Sequence, residues 1–98
     1  MMRDGTGTQL RLLPWTTPAG DPCYLSTSDP NSRLSCMADE LEAELLDSAE
    51  FVLEQTKPLL AGKGMGEREL RFAGVRLAEA LGDALRIAAS RGARLPET

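Results

Sequence analysis

Apolar positions along this chain change their period once, and the change separates two kinds of element. Between about residues 9 and 27 they alternate: Leu10 and Leu12 fall on one side of an extended run, Leu13 and Trp15 on the other, and Cys23 and Leu25 later oppose Tyr24. Pro14 cannot donate to a central ladder, so the first run reads as an edge strand or one that ends early. Thr17-Pro18-Ala19-Gly20-Asp21-Pro22 between the runs is turn chemistry, with Pro18 presetting φ and Gly20 free to take a positive one. A β-hairpin is predicted. After a second turn cluster at Ser28-Asp29-Pro30-Asn31-Ser32, Arg33-Leu34-Ser35 reads either as a short third strand or as the lead-in to a helix.

From there the spacing becomes helical. Helix 1 is predicted over about 37–57, with Ser35 or Asp39 as N-cap; Asp39 followed by Glu42 has capping-box spacing, and acids in the first turn suit the helix dipole. Leu41, Leu45, Ala49 and Val52, with Leu46 and Leu53 alongside, form one broad apolar stripe. Pro58 ends or kinks this helix near Thr56, and Gly62-Lys63-Gly64-Met65-Gly66 is a short connector that implies antiparallel neighbours. Helix 2 is predicted over about 66–91, with Gly92 as the residue that stops it. Leu70, Ala73, Leu77, Ala80, Leu81, Ala84, Leu85 and Ala88 line its expected buried face, and Gly74 one turn before Ala78 allows close approach of another backbone, either helix 1 or a symmetry mate.

The fold class is α+β: an N-terminal β-hairpin, with or without a short third strand, packed on an antiparallel two-helix hairpin. Residues 1–8 are polar and glycine-rich and read as a frayed tail, leaving a single small domain over 9–95. A chain of 98 residues has a thin core and a two-stranded hairpin is marginal alone, so association into a homodimer is the expected route to stability.

Charge changes the picture by element. Asp39 to Glu54 carries seven acids and no base, whereas helix 2 carries Arg68, Arg71, Arg76, Arg86, Arg91 and Arg94. The acids read as mainly a solvated face. The net charge of −4 argues against direct nucleic-acid binding, which needs clustered Lys and Arg to displace counterions. The sequence shows no apolar run long enough for a signal or a membrane span, which predicts a cytoplasmic protein.

Catalytic material is sparse. There is no His, hence no ordinary base for a nucleophile and no imidazole ligand, and two cysteines alone make no tetrahedral site, so no metal, no cofactor and no enzyme activity are expected. Glu40 and Glu44 lie one turn apart but lack a cleft to separate their environments. The 62–66 connector has the glycines of a phosphate loop without its GxxxxGK[ST] spacing. Cys23 and Cys36 read as two buried free thiols. Trp15 and Tyr24, on the two arms of the hairpin, are either core or an interface anchor; Trp15, Tyr24, Leu25 and Leu13 are the candidate partner or dimer contacts.

Leu12-Leu13-Pro14-Trp15 and Pro22-Cys23-Tyr24-Leu25, together with the closing runs 78–88 and 90–95, resemble the BldB-type family of small acidic actinobacterial proteins. That resemblance implies a developmental regulator of aerial hyphae and sporulation, associated with helix-turn-helix transcription factors of the WhiJ type. The expected function is therefore a non-enzymatic, homodimeric regulator that acts on transcription by binding such a factor without reading DNA itself. Two alternatives stand beside it: an antitoxin-like inhibitor whose acidic helix masks a basic enzyme surface, and a structural subunit that pairs through the hairpin edge.

Overall fold

The computed structural model of the chain describes residues 10–26 and 29–94. The expected tail over 1–8 and the outermost residues of the predicted hairpin, 9 and 27, lie outside the described residues. Within them the order is β1 (Leu10–Thr16), β2 (Pro22–Ser26), α1 (Arg33–Ala61) and α2 (Glu67–Ala93), so the chain is an α+β fold of one β-hairpin on one helical hairpin.

The strands pair antiparallel, Leu10 with Ser26, Arg11 with Leu25 and Leu12 with Tyr24, before the register slips between Leu12 and Thr16. The slip falls where Pro14 has no N–H to give. The turn closes through Gly20 N–H to the Thr17 carbonyl (2.8 Å) and Thr17 N–H to the Asp21 carbonyl (2.9 Å), with Gly20 at φ +90°. That conformation suits glycine because it has no Cβ to clash.

The third strand does not form. Arg33 to Ser35 is already the first turn of α1, because Ser32 is the cap: its hydroxyl accepts from Ser35 N–H at 3.2 Å and donates to the Ser35 hydroxyl at 2.9 Å. Ser35 and Asp39 are therefore not caps, and the first turn holds no acid. The helix also runs through Pro58 to Ala61. A proline near the end removes only the bond to the carbonyl of exposed Glu54, where water can replace it, and Gly62 N–H still reaches the Pro58 carbonyl at 3.1 Å. At the other end α2 continues one residue past Gly92, which keeps a negative φ; Arg91 and Arg94, both bonded to Glu42, hold that end.

The two helices meet along a seam that mixes Ala and Ser with larger residues. On α1 it runs Ser35, Ala38, Glu42, Leu45, Ala49, Val52 and Thr56, in alternating steps of three and four, all buried or half-buried. On α2 it runs Ala73, Leu77, Ala80, Ala84 and Ile87. Steps of three and four are the seam of an antiparallel coiled-coil-like pair. Leucines expected inside stand outside it: Leu53, Leu70, Leu81 and Leu85 are 46–62% exposed.

Leu13, Ala38, Val52, Ala73 and Ile87 are the buried hydrophobic residues among those described. The hairpin crosses the end of the helical pair, β1 packing mainly on α2. With α1 about 43 Å long at 1.5 Å per residue, the molecule measures 57 × 30 × 25 Å and its radius of gyration of 16.9 Å exceeds the roughly 13 Å of a compact chain this size.

Candidate functional site

The functional geometry divides between a buried polar clasp at the hairpin end and the open surfaces of the helical pair. The clasp centres on Glu42, 1% exposed, in a seam position of α1. Arg11 of β1 donates to its Oε2 at 3.2 Å, while Arg91 and Arg94 of α2 donate to Oε1 at 3.4 Å each. Arg11 also reaches Asp39 at 2.7 Å and the Ser35 carbonyl at 3.1 Å. A carboxylate taken out of water must be paired and hydrogen-bonded, and three guanidinium groups do that here. Ser90 adds a bond from its hydroxyl to the Leu12 carbonyl at 2.7 Å. One carboxylate thus ties β1, α1 and α2 together. Its role is structural, because both of its oxygens are engaged and closed off from solvent.

The sequence does not show this clasp. By pattern Glu42 belongs to a solvated acidic face, and the arginines of α2 are expected to face that row. Only Arg91 and Arg94 cross to α1; Arg71, Arg76 and Arg86 pair within their own helix, with Glu67, Glu79 and Asp83. Glu40, Glu44, Asp47, Glu50 and Glu54 are exposed, with no ion-pair partner among the described residues.

The candidate contact residues separate. Leu13 is core at 5% exposure, Trp15 and Leu25 are half-buried, and Tyr24 stands 41% exposed. Of the four, Tyr24 is the one open to a partner. Cys23 is half-buried and Cys36 exposed, and neither is in a disulfide; Cys36 is on the outside because α1 starts four residues earlier than expected.

Surfaces that sequence reasoning misses flank the seam. Residues one position before it, Ser48, Phe51 and Gln55 on α1 and Phe72, Glu79 and Asp83 on α2, share one side, where they line two depressions. The larger lies at the connector end, with a volume of about 780 Å³, walled by Phe51, Leu59, Met65 and Phe72 and edged by Lys63 and Arg68. Phe51 is 64% and Phe72 69% exposed. Residues one position after the seam share the opposite side, because antiparallel helices turn the same offset toward the same face; these are Leu46, Leu53, Leu81 and Leu85, with Gly74 between. The periodicity that marks these rows is present in the sequence: apolarity assigns Leu46, Leu53, Leu81 and Leu85 to the core, while Phe51 and Phe72 fall outside the expected buried stripes.

No cluster of three or more His, Cys, Asp or Glu suited to a metal occurs among the described residues, and no helix in them is long and apolar enough to cross a membrane. Comparison with family models, with characterised proteins and with solved structures finds no match to the chain.

Proposed function

We propose that this protein is a non-enzymatic regulator that works by protein–protein contact, as a homodimer binding a helix-turn-helix transcription factor and altering that factor's hold on DNA. The observation that carries the reading is the cleft of Phe51, Leu59, Met65 and Phe72, since an exposed aromatic pocket of about 780 Å³ on so small a chain is what an apolar anchor from a partner fits. The cleft rim carries Lys63, Arg68, Arg76 and Glu69, while the exposed acids of α1, Glu40, Glu44, Asp47, Glu50 and Glu54, lie outside its lining and would repel DNA and favour a basic surface elsewhere on the partner. The resemblance to BldB-type proteins supports the same role and adds the developmental setting, a cytoplasmic one.

Titration of purified helix-turn-helix regulators encoded beside this chain tests it. Association at micromolar concentration, lost on Phe72→Asp, is expected; a folded wild type that binds none of them contradicts it. The same acid row also suits an antitoxin-like inhibitor capping a basic enzyme surface, and a neighbouring gene that is toxic when expressed alone would favour that second reading.

A further inference from the structure

The side of the helical pair opposite the cleft carries a row of leucines, with exposed Glu50 and Lys57 set between them on α1. Leu46, Leu53 and Leu60 recur every seven residues on α1, and Leu70, Leu81 and Leu85 stand beside them on α2. Apart from half-buried Leu46 they are 46–62% exposed. A Cβ built on Gly74, on the same side, meets nothing within 4 Å, so the Gly74 and Ala78 positions that permit close approach of another backbone are not used by α1.

We infer that this leucine face, and not the β-hairpin, is where a second copy of the chain docks, closing two helical hairpins into a four-helix bundle; the inference rests on the homodimer in the reading above and locates its interface. Two observations select a second copy as the occupant. Six leucines about half exposed offer on the order of 500 Å² of apolar surface per copy, matching the apolar share of a standard interface of roughly 800 Å² per partner. The heptad spacing of Leu46, Leu53 and Leu60 repeats the seam's own period, which suits packing against another helix of the same kind.

Charge then fixes the arrangement. Val52 and Ala73 border one depression and Leu45 and Ala80 the other, so Glu54 lies level with Arg71 along the pair. Both are exposed at the outer edge of the leucine face. A twofold axis parallel to the helices sets α1 over α2 of the second copy and brings Glu54 toward Arg71. An axis across the helices would set α1 on α1 and acids against acids, so the first is favoured.

Sedimentation equilibrium on the whole chain provides the test. Wild type is expected at twice the 10.6 kDa chain mass at tens of micromolar, with a thermal midpoint that rises with concentration. Leu81→Glu with Leu85→Glu is expected to weaken the dimer about 100-fold or more, since it puts charge into an apolar contact. If that pair of changes unfolds the chain, Leu81→Ala keeps the helix and is expected to weaken the dimer about tenfold. Tyr24→Ala should remain dimeric. A dimer that ignores the leucine changes and dissociates on Tyr24→Ala overturns the inference while leaving the homodimer intact; a monomeric wild type overturns both.

Discussion

Removing the Glu42 carboxylate by Glu42→Ala strips three arginines of their common acceptor. Arg11 suffers most, since its side chain is only 11% exposed and its Nε already has no hydrogen-bond partner among the described residues. Deleting one member of a buried ion pair costs on the order of 3–5 kcal/mol because the opposite charge stays behind unsolvated. The lower end applies here: Asp39 still holds Arg11 at 2.7 Å, and Arg91 is half exposed and can turn to water. About 3 kcal/mol is expected, which for a chain of this length is a fall in Tm of roughly 15 °C. Urea denaturation followed by far-UV circular dichroism measures it, with Glu44→Ala as the control, a neighbouring exposed acid expected within about 0.5 kcal/mol of wild type. Should Glu42→Ala match that control, the carboxylate is not the tie between strand and helices and the clasp has been misread.

Ser90→Ala removes the bond to the Leu12 carbonyl and should cost about 1–2 kcal/mol, with amide exchange speeding up in β1 before it does in α1. Ser32→Ala takes away the α1 cap and should lower stability by about 1 kcal/mol, read from the same urea midpoint. Gly20→Ala forces a side chain to φ +90° and should cost about 1–2 kcal/mol, visible as lost strand signal by NMR, although no atom lies within 4 Å of the new Cβ.

Whether a residue was legible in the sequence depended on whether it acts locally. The Pro18–Gly20 turn was readable because φ preference is a property of those residues alone, and the helical hairpin because its period is long and regular. The seam was legible in part. Leu45, Ala49 and Val52 of the expected α1 stripe and Ala73, Leu77, Ala80 and Ala84 of the expected α2 face do lie on it, whereas Leu53, Leu81 and Leu85 turn outward and Ser35, Ala38 and Thr56 extend the line with small or polar residues that an apolar pattern passes over. Glu42 was invisible for a related reason: a lone acid scores as surface until Arg11, 31 positions away, is brought in by the strand. The register slip at Pro14 was half visible, since the missing donor was plain but its opposite strand residue was not. The exposed cleft was half readable, because Phe51 and Phe72 fall outside both expected buried stripes, but nothing in the pattern says that they meet across the helical pair beside the connector.

On the reading proposed above, this chain acts by holding another protein through the aromatic cleft at the far end from its hairpin. Isothermal titration of a helix-turn-helix regulator encoded beside it, into wild type and into Phe72→Asp, measures that directly. Micromolar or tighter binding by wild type is expected, reduced at least about 30-fold in a variant whose helical circular dichroism is unchanged. Equal affinity in the two proteins would contradict the cleft, and no binding by a folded wild type would contradict the function.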